Sequence, residues 1–198
     1  MARRYLQILG TPAVLREQER YYGRSRPVTS AAERDLLGEV EIDFIGERDS
    51  FFMATVGESG WPYLQHRGGP PGFLRVVDPS TLAFADYEGN HQMLSTGNLA
   101  VDDRVSLFLL DHANRRRLKI LGHARVEDVH TRPDLAEPFA DPREDARIER
   151  LVFVDVVSFD WNCPQHITPR YTAAEVATIV EPLRREIAEL RARLSGRD

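Results

Sequence analysis

The 198-residue sequence is 42% hydrophobic and 29% charged, with a net charge of −5. This is one domain's worth of chain with enough apolar residues for a sizeable core, and its acidity argues against nucleic acid and membrane surfaces as partners. The lone Cys163 excludes an intrachain disulfide and a multi-cysteine metal site, and fits a reducing, cytoplasmic setting.

No signal peptide is read at the start, and no apolar run of about 18 residues suggests a membrane span. Residues 1–48 read as a helical arm, with residues 11–25 as an arm or short helix. Thr29 or Ser30 is placed to cap a helix running to about residue 46, with Leu36, Leu37, Val40 and Phe44 at helical spacing. From Ser50 the pattern becomes β. Ser50–Val56 ends at Gly57-Glu58-Ser59-Gly60, a hairpin turn, and Trp61–Arg67 returns. Phe73–Val77, Leu82–Ala85, Val105–Leu110, Leu118–Val129 and Leu151–Trp161 supply further strands, with a short helix over 91–101. Many strands joined by Gly/Pro turns imply a closed or partly closed barrel. Thr172 with Glu175 makes a capping box, and Val176, Val180, Leu183, Ile187, Leu190 and Leu194 step along an amphipathic helix over about 172–195. Packing on the barrel is the simpler role for it; self-association is the other. Pro182 is a point where it can kink.

Four segments could carry chemistry, each with a plain structural alternative. Gln65–Arg75 holds Arg67 and Arg75 around Gly68-Gly69-Pro70-Pro71-Gly72, suited to a phosphate through arginine forks and free amides, or simply a tight turn. Asp86-Tyr87-Glu88-Gly89-Asn90 and Ser95-Thr96-Gly97-Asn98 surround a helix start, which suits an anion or ordinary capping. Arg115-Arg116-Arg117 is a basic run or a solvated hairpin. Trp161-Asn162-Cys163-Pro164-Gln165-His166-Ile167 can pack on an aromatic ring and bond its edge, or form a crossing loop. Cys163 and His166 are too few for a metal site, and no metal is expected.

Taken in order over about residues 36–170, these segments resemble the predicted flavin-nucleotide-binding proteins related to pyridoxamine 5′-phosphate oxidase. The carriers are Ser50–Val56, Gln65–Pro70, Gly89-Asn90, Ser95–Leu99, Arg104–Phe108 and Arg116–Ala124, and the Trp161–Ile167 run is similar to a motif of one subgroup. The resemblance implies a mainly β fold with flanking helices, a split β-barrel, binding FMN at two sites in a homodimer. It implies a cofactor set of Arg67, Gly68, Phe73, Leu74, Arg75, Asp86, Tyr87, Ser95, Asn98, Arg116 and Arg117, with Trp161, Gln165 and His166 reaching the flavin from the partner chain. Ser95 falls where the family often has a phosphate-binding lysine, which shifts the charge to Arg67, Arg75 or Arg116. Arg117 falls near a flavin-contacting glutamine of pyridoxamine-phosphate oxidases. The polar-faced C-terminal helix replaces the substrate-gripping segment of those oxidases, so vitamin B6 oxidation is not expected. The expectation is an FMN-dependent oxidoreductase acting on a small substrate or electron donor, with no catalytic residue assigned. A non-enzymatic flavin- or haem-binding or sensing protein stays open, as does a deazaflavin-dependent reductase. His66, His112, His123 and His166 keep haem ligation in view.

Overall fold

A computed structural model describes residues 3–139 and 147–195. The chain divides into two compact units, residues 1–110 with 117–163 and residues 111–116 with 164–198.

The first unit is built on a seven-stranded antiparallel sheet. Its strands are β1 (Ser50–Val56), β2 (Pro62–Gly68), β3 (Arg75–Asp78), β4 (Thr81–Tyr87), β5 (Arg104–Asp111), β6 (Arg116–Asp128) and β7 (Ile148–Trp161), in the order β2-β1-β5-β6-β7-β4-β3. Alternation sends Phe51, Met53 and Thr55 of β1 and Val105, Leu107 and Leu109 of β5 to one buried face. The sheet curls until its far strands meet. Phe51 of β1 packs edge-on against Phe84 of β4, centroids 5.3 Å apart. Arg67 of β2 pairs with Asp86 of β4, although four strands separate β2 from β4 in the sheet. This is the split barrel that the sequence predicts. Curvature is helped by a register shift between Leu121 and Gly122, where the Cβ of any larger residue would lie 2.7 Å from the Asp155 carbonyl oxygen.

The helical arm differs from the reading of the sequence. Helices α1 (Arg3–Leu9) and α2 (Pro12–Tyr22) precede a non-helical stretch, and α3 covers only Glu39–Gly46. Thr29 and Ser30 therefore cap nothing. The intervening backbone bonds to strand ends instead, Asp35 N–H to the Val157 carbonyl (3.1 Å) and Leu37 N–H to the Pro79 carbonyl (2.8 Å). Leu37 and Phe44 are buried, whereas Leu36 and Val40 are exposed, so the helical spacing of the four was coincidental. The helix expected over 91–101 is α4, Leu94–Leu99.

In the second unit α5 runs from Ala173 to Ser195. Its capping box forms as expected, with Thr172 N–H donating to Glu175 Oε2 (2.7 Å) and Glu175 N–H to Thr172 Oγ1 (3.2 Å). None of its residues is buried. No helix among the described residues is long and apolar enough to cross a membrane.

Candidate functional site

The site is best built from Asp86. Near the end of β4 its carboxylate is buried and receives two guanidiniums: Arg67 Nη1 at 2.5 Å from β2 and Arg150 Nε at 3.0 Å from β7. Asp86 and Arg150 are register partners in the β4–β7 pair, which puts their side chains on one face. Arg150 Nη2 also reaches Glu149 at 2.8 Å. The Arg67 guanidinium lies 5.6 Å from the Phe84 ring centroid, and its Nε is buried without a hydrogen-bond partner.

These groups line a cleft of about 240 Å³. Its other walls include Tyr63 and Gln65 of β2, Tyr87, the 89–93 loop, and Ser95 and Thr96 of α4. Ser95 is buried and donates to Gln65 Oε1 at 2.7 Å, which ties α4 to β2. Glu88, His91 and Glu149 place three potential ligand atoms within 4.8 Å of one another, and His91 and Glu149 of this group also line the cleft. With two arginines against Asp86 and Glu149, the floor is close to neutral, so an anion would be held by directed hydrogen bonds more than by net charge.

The structure brings together Arg67, Asp86, Tyr87 and Ser95 of the residues expected from sequence. The others lie elsewhere. Leu74 is buried in the core, Phe73 stacks on Phe51 with centroids 5.6 Å apart, and Arg75 lies over Phe139 at 5.0 Å. Gly68 ends β2 opposite Ser50. Two amides of the following loop are engaged: Gly69 N–H donates to the Asp49 carbonyl and Phe73 N–H to the Pro70 carbonyl, each at 2.9 Å. The loop thus delivers Phe73 and Leu74 to the core. Asn98 donates to buried Thr55 at 2.9 Å, which ties α4 to β1. Arg117 has a buried Nε with no hydrogen-bond partner at the start of β6, and Arg116 precedes it in the second unit. Trp161 ends β7 with its indole N–H donating to Glu41 Oε1 (2.7 Å) and its ring edge-on to Phe44 (4.7 Å). Gln165 and His166 are exposed in the second unit. Of the other histidines, His66 packs edge-on to Phe52, and His123 pairs with Asp103 at 2.8 Å.

Sequence reasoning missed Arg150, the second cation of the cleft. An arginine at the head of an apolar strand looks like ordinary strand punctuation. Only the β4–β7 register, pairing residues 64 positions apart, shows what it faces.

A curled antiparallel sheet with a polar cleft where β2, β4 and β7 converge is the scaffold of the pyridoxamine 5′-phosphate oxidase-like flavin-binding proteins. The family model for pyridoxamine 5′-phosphate oxidase matches residues 38–155, more than half of the chain, and the chain belongs to that family. No curated protein matches it in sequence. Among solved structures, HupZ from Group A Streptococcus is 14% identical, covering 69% of this chain and 100% of its own, with a TM-score of 0.53. A candidate pyridoxamine 5′-phosphate oxidase from Lactobacillus delbrueckii is 19% identical over 63% of this chain and 93% of its own, with a TM-score of 0.47. An FMN-binding protein from Syntrophomonas wolfei is 10% identical over 62% and 86%, with a TM-score of 0.42. At 14% identity the likeness to HupZ is one of fold alone.

Proposed function

We propose that the cleft takes the phosphate end of FMN and that the protein is an FMN-dependent oxidoreductase acting as a homodimer. The observation that carries this reading is the partnerless Arg67 Nε in a wall of the cleft. A buried donor left unmatched costs about 1–3 kcal/mol, and a phosphate oxygen is the acceptor an arginine fork suits best. Arg67 and Arg150 would hold the phosphate, with the Ser95 and Thr96 hydroxyls beside it and Asp86 keeping both guanidiniums in place. The bound flavin would supply the redox chemistry; the chain would bind it, orient it and keep water from it. Vitamin B6 oxidation is not part of the proposal, because residues 173–195 form the exposed helix α5.

The homodimer has its own support. The outward face of the β1–β2 hairpin leaves Phe52, Val56 and Leu64 exposed, with Trp61 exposed beside them at the turn, and a contiguous apolar patch of this kind marks a partner surface. A two-fold pair would let the partner subunit's Trp161, Gln165 and His166 complete each site.

The test is a titration of FMN against riboflavin. FMN should bind about ten-fold or more tightly, as one charge-assisted bond of about 1.5–3 kcal/mol requires; equal affinities would remove the phosphate site. Mixing an Arg67→Ala chain with a Trp161→Ala chain should restore about half the flavin binding per heterodimer, one site being intact and one doubly damaged. A monomer binding FMN at full affinity would remove the shared site.

A further inference from the structure

The second unit holds an apolar stripe that this reading leaves unused. Along α5, Val176, Ile179, Leu183, Ile187, Leu190 and Leu194 form a stripe whose exposures run from 45% at Val176 to 68% at Leu194. Exposed large side chains aligned on one helix face signal a partner. Five steps carry the stripe over 18 residues, from 176 to 194, a mean of 3.6 per step. That matches the helical repeat, so the stripe keeps to one face of α5 on both sides of Pro182.

We infer that α5 pairs antiparallel with α5 of a second copy of this chain. Two features select the second copy and its orientation. First, the stripe maps onto itself when reversed about residue 185: position 176 falls on 194, 183 on 187, and 179 within one residue of 190. Second, the charge is divided by half. Residues 173–183 carry Glu175 and Glu181 and no cation, a net charge of −2. Residues 184–195 carry Arg184, Arg185, Arg191 and Arg193 against Glu186 and Glu189, a net charge of +2. An antiparallel pair sets the acidic half on the basic half, with Glu175 beside the partner's Arg193, whereas a parallel pair sets like on like. The helix dipoles favour the same orientation. The pairing does not depend on the flavin reading, since it uses no residue of the cleft.

The test uses the full chain carrying Cys163→Ser, so that no native thiol competes. Val176→Cys and Leu194→Cys are made as separate chains, mixed, and oxidised gently. Antiparallel pairing brings the two positions together, within the roughly 4–7 Å between Cα atoms that a disulfide spans. The same position in two paired copies is then about 27 Å apart. The mixture should cross-link into disulfide dimers at least ten-fold more than either chain alone. Adding Leu183→Glu with Ile187→Glu to both chains should abolish the excess while circular dichroism and flavin binding persist. An Ala174→Cys and Ala192→Cys mixture, with thiols on the far face of the helix, should stay at background. Self-cross-linking of Val176→Cys alone, equal cross-linking by the far-face pair, or no cross-linking in the mixture would each overturn the inference. The last result, together with a dimeric mass by light scattering and intact FMN binding, would leave the proposed function standing without it.

Discussion

The two ends of β7 handle their polar side chains by different means. At its start, Arg150 joins Asp86 and Arg67, residues from three strands lying 64 and 19 positions apart in sequence, into one buried ion-paired group at a cleft wall. At its end, Trp161 is fixed by Glu41, while Arg117 Nε and Asn162 Oδ1 are buried with no hydrogen-bond partner. The first end is assembled by register and barrel curvature from residues that show no common motif. The second carries a continuous, conspicuous run, Trp161–Ile167, whose tryptophan is engaged within its own chain. Conspicuousness in sequence and convergence in space are separate properties, and here they favour opposite ends of one strand.

The largest expected effect comes from dismantling the first end. Asp86→Ala would leave the mostly buried Arg67 guanidinium without its counter-charge, facing an Arg150 held only by Glu149, and removing one partner of such a group costs about 3–5 kcal/mol. Urea unfolding should show a loss of that order, with the slope unchanged. A loss below about 0.5 kcal/mol would mean that the ion pairs do not hold β2 to β4. Next in size is the cofactor effect. Arg67→Ala and Arg150→Ala should each weaken FMN binding about ten- to a hundred-fold, as the loss of one charge-assisted bond implies. Arg24→Ala, in the arm, should leave affinity unchanged. If Arg117→Ala weakens FMN binding more than Arg150→Ala does, the anion site belongs to the other end of β7. Smaller again is Trp161→Phe, which removes the hydrogen bond to Glu41 but keeps the ring against Phe44. It should lower stability by about 1 kcal/mol, read as a drop in unfolding temperature of a few degrees.

The strands were legible because short apolar runs such as Phe51–Ala54 and Leu107–Leu110 are bounded by turn and polar residues, whereas the alternation of burial along β1 and β5 shows only in the structure. The start of α5 was legible because its capping box is local chemistry between Thr172 and Glu175. The long helix expected from Thr29 was not real, because the backbone of Asp35 and Leu37 finds better partners at Val157 and Pro79, over 40 residues away, than within its own segment. The cleft was legible in part. Arg67, Asp86, Tyr87 and Ser95 stand in motifs, whereas Arg150 gains its place only from pairing with β4. Gly68–Arg75 reads as a phosphate loop, yet its Gly69 and Phe73 amides close on neighbouring carbonyls and its Leu74 enters the core, outcomes fixed by tertiary packing.

A surface ion pair gives the smallest effect and shows what the buried group at Asp86 adds. Asp102 receives Arg104 through Nε at 2.8 Å and through Nη2, and these bonds, with the Arg104 backbone N–H, hold its carboxyl down at about 2. A carboxyl lowered in the folded chain stabilises the fold at pH above the unfolded value of about 3.9, and that contribution disappears as pH falls towards 2. Solvent screens such a pair, so its share is slight at neutral pH. The check is the urea midpoint of the wild type and of Arg104→Ala between pH 6 and pH 2. The small advantage of the wild type should be constant down to about pH 4, shrink through the window below, and vanish near pH 2, with 1 M salt reducing it throughout. An advantage that persists at pH 2 would show that Arg104 acts by packing and not through its charge. The Asp86→Ala loss should exceed the Arg104→Ala loss several-fold at pH 7, because its partners are nearly buried and water cannot replace what the carboxylate provided. Equal losses would place the cleft group among ordinary surface pairs and remove its claim to hold the barrel's far strands together.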